Sequence, residues 1–196
     1  MKLNFLYKLR QMQSSQFGQL DVQAQREHVL ELAHTVLSDY PFEIQSVEII
    51  NFEFNATFKV VTTKKEIFAL RINVNSDRTY ENLRGELAFV SFLNEKQAVN
   101  LPKPVACKKG EFALTVASSM LERDLCVVLY SWLEGEELGD EPSDEALRKL
   151  GAAMAAMHQA AADFTLPDKA QLPVLKEFLW QTKDIIFSSS SPLLKA

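Results

Sequence analysis

An arginine and a glutamate are the residues best placed to do chemistry in this chain. In Glu66-Ile67-Phe68-Ala69-Leu70-Arg71-Ile72-Asn73-Val74 the side chains alternate. Phe68, Leu70, Ile72 and Val74 share one face of an extended strand, and Ile67, Ala69 and Arg71 share the other. Arg71 is therefore centred on the less bulky face of an apolar strand. A helical run over 80–93 follows, with Leu83, Leu87 and Val90 at helical spacing and Glu86 inside that stripe. A cation on a strand and an anion on the inner face of the next helix both need a partner if buried, and the cheapest arrangement is that they pair with each other. Such a pair has two readings. It is a fixed guanidinium for phosphate oxygens, which a bidentate fork fits, or it is an ion pair that stabilises the lobe without any ligand.

Bulk properties narrow the classes. The chain has 196 residues, 47% hydrophobic and 24% charged, which is ordinary globular material with room for one sizeable domain or two small ones. A net charge of −5 without a lysine/arginine cluster argues against a nucleic-acid surface. The apolar runs fall far short of the ~20 residues of a membrane span, and residues 1–10 carry no apolar signal core, so the protein is expected in the cytoplasm. Cys107 and Cys126 are far apart and form no CxxC, so buried free thiols are expected. The three histidines form no spaced His/Cys pattern, so no zinc site is expected. His28 and His34 read as surface or edge residues, and His158 as a packed or capping one.

The elements that must position Arg71 and Glu86 follow from the periodicities. Residues 1–20, glutamine- and serine-rich at their centre, read as a loose arm. Asp21 caps a helix over 22–37 with Val29, Leu32, Ala33, Val36 and Leu37 inward. The period then changes to two. Phe42, Ile44, Val47 and Ile49 suggest a strand with a slip near Ser46. Residues 52–62 alternate, with Asn51 and Asn55 leaving open one long strand or strand–turn–strand. With the Arg71 strand this makes an antiparallel meander. Leu101-Pro102-Lys103-Pro104 is an extended connector, and 111–116 and 125–129 are two more strands. Residues 131–136 look like a hinge between two lobes. Ser143 caps a helix carrying the stripe Leu147, Leu150, Met154, Met157 and Ala161, and a last amphipathic helix is expected over 174–187.

Five stretches together resemble the aminoglycoside phosphotransferase family of small-molecule kinases, whose fold is protein-kinase-like. They are Phe68-Ala69-Leu70-Arg71-Ile72, Arg84-Gly85-Glu86-Leu87, Leu101-Pro102-Lys103-Pro104-Val105, the run from Leu129 to Glu136 (LYSWLEGE), and the run from Leu150 to His158 (LGAAMAAMH). The resemblance covers about residues 22–167. It implies an α+β fold: an N-lobe over 21–130 of five-stranded antiparallel sheet plus helix, a hinge at 131–136, and the first helices of a truncated helical C-lobe over 137–196.

The resemblance also assigns roles. Arg71 stands where these kinases neutralise nucleotide phosphates, and Glu86 matches the helix glutamate that aims it. Asn55, Ala56 and Thr57 match the loop that covers the phosphates, here without glycine. The Ser131 carbonyl and the Leu133 amide would meet adenine. ATP, Mg2+ and a small-molecule hydroxyl acceptor are implied for the complete enzyme. One departure bears on catalysis. The family continues with His-x-Asp-x-x-x-x-Asn and a metal-binding aspartate, and no histidine here is followed two residues later by aspartate. Asp163-Phe164 and Asp184-Ile185 echo the metal segment without that loop upstream. No catalytic and no metal-binding residue is therefore expected, and the chain alone should be inactive. The second reading is a binding or interaction module, whose helical face, including Leu175, Phe178, Leu179, Ile185 and Ile186, needs a partner or a second copy.

Overall fold

The structure is a computed structural model that describes residues 16–76, 78–135 and 139–173. The two-residue alternation folds into β1 (Ile44–Phe52), β2 (Ala56–Thr62), β3 (Ile67–Ile72), β4 (Ala113–Ser118) and β5 (Arg123–Ser131). They form one antiparallel sheet in the order β1-β2-β3-β5-β4. The slip expected near Ser46 is a register shift between Ile44 and Ser46, and a second lies between Ile49 and Asn51. Residues 52–62 resolve as strand–turn–strand, with Glu53 to Asn55 as the turn.

Each sheet face has its own helix. Helix α1 (Val22–Leu37) starts at Asp21, whose carboxylate accepts the Ala24 amide at 2.8 Å. Its Val29, Leu32, Ala33 and Val36 share one core with Phe58, Val60, Leu70, Ile72, Val127 and Leu129. Helix α2 (Tyr80–Lys96) opens with a capping box between Thr79 and Asn82. It lays Leu83 and Leu87 on Ala113, Cys126, Val128 and Tyr130, with Ala69 and Val90 at the margin. The period of two thus splits β3 and β5 between two cores: Leu70, Val127 and Leu129 turn to α1, while Ala69, Val128 and Tyr130 turn to α2. Both cysteines are buried free thiols.

Helix α3 (Asp144–Ala161) begins at Ser143, whose hydroxyl accepts the Ala146 amide at 3.2 Å. None of its residues is buried. Leu147, Leu150 and Met154 of the expected stripe are 48%, 42% and 46% exposed, so among the described residues nothing covers them. His158 lies exposed in the last turn of the helix, not packed. The helix expected over 174–187 lies outside the described residues.

Two expectations are corrected. The arm over 1–20 is not loose throughout. Residues 1–15 lie outside the described residues, but Phe17–Gln19 is a 3-10 turn and the Phe17 ring is fully buried. It packs against His28 at 5.7 Å and edge-on to Phe52 at 6.4 Å, so its apolar area outweighs the polar composition around it. His28 is not a surface residue. It is 9% exposed, and its Nε2 lies 3.0 Å from the Ser118 hydroxyl. A polar pattern on α1 hid it, because the hydroxyl that satisfies it comes from β4.

Burial holds the His28 pKa below its usual 6.5, since desolvation penalises the charged ring. The unfolded chain therefore takes up the proton first as pH falls. Stability is complete above about 6.5 and declines as pH drops through the lowered folded value. Urea midpoints measured between pH 8 and 5 should fall more steeply for the wild type than for His28→Gln. Phe17→Ala should lower the unfolding free energy by about 3 kcal/mol in the same assay.

Candidate functional site

Arg71 and Glu86 meet. Arg71 is on β3, opposite Thr57 of β2 and Val128 of β5, and its side chain leaves the sheet on the α2 face. Its Nη2 donates to Glu86 Oε1 at 2.7 Å. The Tyr130 hydroxyl donates to the same oxygen at 2.8 Å. Glu86 Oε2 lies 3.6 Å from Arg78 Nη1, which reaches in from just before α2. The Arg71 guanidinium also stands 5.7 Å from the centre of the Tyr130 ring.

The pair is neither exposed nor sealed: the side chains of Arg71 and Glu86 keep 23% and 20% exposure. Among the described residues, two guanidiniums thus share the Glu86 carboxylate. Arg71 Nε is buried without a hydrogen-bond partner among the described residues. Burial, and after it the neighbouring Glu86 charge, pushes the Tyr130 hydroxyl above its usual range, so it stays protonated and remains a donor.

The other expected positions are distributed as follows. Thr57 is beside Arg71 in the ladder, on its face. Ala56 is fully buried with its side chain in the α1 core, so only its backbone can face a ligand on the Arg71 side. Asn55 closes the turn through its carbonyl, which accepts the Glu53 amide at 3.2 Å, and its Oδ1 is buried without a partner among the described residues. No residue of this turn has a positive φ, which is why the loop closes without glycine. Asn75 ties it down by donating its amide to the Phe54 carbonyl at 2.8 Å and its side chain to the Glu53 carbonyl.

Ser131 is the last residue of β5, so the first residue of the expected hinge is still paired in the sheet, opposite Phe68. The connector runs along it. Ser131 N–H donates to the Lys103 carbonyl at 2.8 Å, and the Ser131 hydroxyl accepts the Lys103 amide at 2.9 Å. The hydroxyl takes the place a carbonyl would have in that ladder. Leu133 follows, 39% exposed, and Glu136 lies outside the described residues. Lys59 Nζ stands 5.1 Å over the Trp132 ring beside this segment.

Sequence reasoning missed Tyr130 and Arg78. Tyr130 had a signal, since it falls in step with Val128 on the face that Arg71 uses. Arg78 had none, because its reach depends on how the 73–79 loop enters α2. Among the described residues there is no group of carboxylates, histidines or cysteines able to hold a metal, and no helix is long and apolar enough to cross a membrane.

Comparison with known proteins gives the family and the fold. The model of the phosphotransferase enzyme family matches residues 49–186, which is more than half of the chain. The chain belongs to that family. Among solved structures, a microcompartment-associated aminopropanol kinase superposes with a TM-score of 0.61 at 22% identity, over 70% of this chain and 42% of that one. An amicoumacin kinase in complex with AMP-PNP, Ca2+ and Ami superposes with a TM-score of 0.60 at 15% identity, over 76% of this chain and 45% of that one. No curated protein matches. At these identities the neighbours establish the fold: the five-stranded sheet with its helices is a kinase-like N-lobe joined to the beginning of a helical lobe. In this member of the phosphotransferase family the match covers less than half the length of either solved kinase.

The shared Glu86 oxygen makes its donors interdependent. A double-mutant cycle of Tyr130→Phe with Glu86→Gln, read by urea unfolding, should give a coupling energy of about 1 kcal/mol. Two independent residues would give a value near zero.

Proposed function

We propose that this chain is the nucleotide-binding portion of an ATP-dependent phosphotransferase that acts on a small-molecule hydroxyl. The observation that carries the reading is the Arg71 guanidinium, held by a Glu86 oxygen that Tyr130 shares, while the Arg71 side chain keeps 23% exposure. Arg71 would neutralise nucleotide phosphates and Glu86 would hold it in place. Backbone groups of Asn55, Ala56 and Thr57 would cover the phosphates. The Ser131 carbonyl and Leu133 amide would receive adenine. In this reading 21–130 is the nucleotide lobe, 131–136 the hinge, and 137–196 the start of the helical lobe.

Arg71, fixed on its strand and still part exposed, suits the phosphates of a nucleotide. The sequence has no His-x-Asp-x-x-x-x-Asn stretch, which the family uses for the acceptor hydroxyl and the metal. No catalytic step is assigned to this polypeptide. Bound ATP would supply the phosphoryl group, while this chain binds the phosphates, orients them and covers one side of the cleft. The bare Leu147, Leu150 and Met154 stripe supports the second reading, an interaction module covered by a partner or second copy. Sedimentation as a dimer that dissociates on Leu150→Glu would favour it.

Calorimetry distinguishes the two readings. MgATP should bind the wild-type chain, and Arg71→Ala, with unchanged circular dichroism, should weaken binding at least about tenfold. The purified 196-residue chain should transfer no phosphoryl group. Absence of binding heat in both proteins would overturn the nucleotide reading.

A further inference from the structure

Helix α2 is held on a second side by a segment that comes back from beyond α3. This segment runs against α2 from its C-terminal end to its N-terminal end. Asp163 Oδ2 lies 3.7 Å from Lys96 Nζ. The Phe164 ring sits 5.4 Å from that of Phe92 and 5.0 Å from that of Phe89. The Ala170 amide donates to the Pro167 carbonyl at 3.1 Å, with Lys169 at a φ of 62°, and Ala170 is buried. Gln171 then reaches the first turns of α2. Its N–H donates to the Glu81 carbonyl at 3.0 Å, and its carbonyl accepts from Asn82 Nδ2 at 3.4 Å.

The seat for this segment is Gly85. Glycine inside a helix is unfavourable relative to alanine unless something else needs the space. Here something does. A Cβ on Gly85 would stand 3.0 Å from the Gln171 carbonyl carbon and closer still to its oxygen, and both are backbone atoms. Gly151 in α3 is the opposite case, because a Cβ there meets nothing within 4 Å. Gly85 directly precedes Glu86. Leu83 and Leu87 press α2 onto the sheet, and Gly85 admits the return segment, so the rotation of the helix at Glu86 is fixed from both sides.

We propose that residues 163–171 act as a clamp that aims the Glu86 carboxylate at Arg71 and Tyr130, with Gly85 as the positioning residue that lets the clamp seat. The proposal builds on the nucleotide reading of the Arg71–Glu86 pair, but seating and aim are measured separately from binding. Because the clamp follows α3, helices beyond the 131–136 segment act on Glu86 through it.

Gly85→Ala and Gly151→Ala should move stability in opposite directions. Alanine in the open α3 site should raise Tm, whereas Gly85→Ala should lower it and raise amide exchange over 81–87 about tenfold. Gln171→Pro removes the amide donated to Glu81 while leaving the α2 sequence intact, and should raise the same exchange, so it carries the test if Gly85→Ala does not fold. In both variants the guanidinium resonances of Arg71, assigned with Arg71→Lys, should lose exchange protection, and the MgATP Kd should rise about tenfold. A Gly85→Ala protein as stabilised as Gly151→Ala would overturn the clamp. Faster exchange over 81–87 with unchanged Arg71 resonances would overturn its aiming role. Loss of the Arg71 signals in a protein whose wild type gives no ATP heat would uphold the clamp and defeat the nucleotide reading alone.

Discussion

One carboxylate oxygen is the point on which the molecule turns. Glu86 Oε1 accepts from Arg71 at 2.7 Å and from Tyr130 at 2.8 Å, and so joins α2 to the two adjacent strands β3 and β5. Part-buried charges of this kind contribute little net stability, because desolvation offsets most of their attraction. Their contribution is geometric. A hydrophobic contact between α2 and the sheet would tolerate a rotation of the helix by several degrees, but a hydrogen-bonded carboxylate with two donors tolerates much less. Leu83 and Leu87 hold α2 on the sheet, and Glu86 fixes how it is turned.

The split of the sheet between two cores makes this possible. Leu70 and Ile72 commit one face of β3 to α1, where they are fully buried, so the opposite face is free to carry an ion pair without giving up the main core. The alternation that places Arg71 opposite to Leu70 is the same alternation that places Tyr130 opposite to Leu129. Two chemically active side chains on different strands thus reach one helix because both strands obey a single period.

That periodicity is also why so much could be read from the sequence. The first helix, the meander, the pairing of Arg71 with Glu86 and the Ser143 cap all depend on spacing within one short stretch, and spacing is visible in a single chain. What could not be read depends on partners distant in sequence. His28 is satisfied by Ser118, ninety residues away, and Phe17 is buried by residues of α1 and β1 in spite of its polar neighbours. Arg78 reaches Glu86 only through the path of a loop, and the meeting of Gly85 with the Gln171 backbone leaves no trace in composition. The family resemblance pointed to Arg71 and Glu86 as a pair but not to Tyr130 or Arg78 as their neighbours.

The way Glu86 distributes its bonds bears on what Arg71 is for. A bidentate guanidinium–carboxylate pair would consume both arms of the fork and leave a closed, neutral unit. Here only one arm, Nη2, is recorded on Glu86; the other oxygen of the carboxylate faces Arg78, and Arg71 Nε has no partner among the described residues. A pair built only for stability would be expected to satisfy that buried N–H, because leaving a donor unmet inside a protein costs more than a typical hydrogen bond returns. Among the described residues the arrangement fixes the guanidinium in direction through one arm. Tyr130 makes this possible by sharing the carboxylate as a neutral donor, which orients Glu86 without adding charge. Fixed in this way, the guanidinium has what the proposed nucleotide reading requires of Arg71, a cation of set direction on a strand.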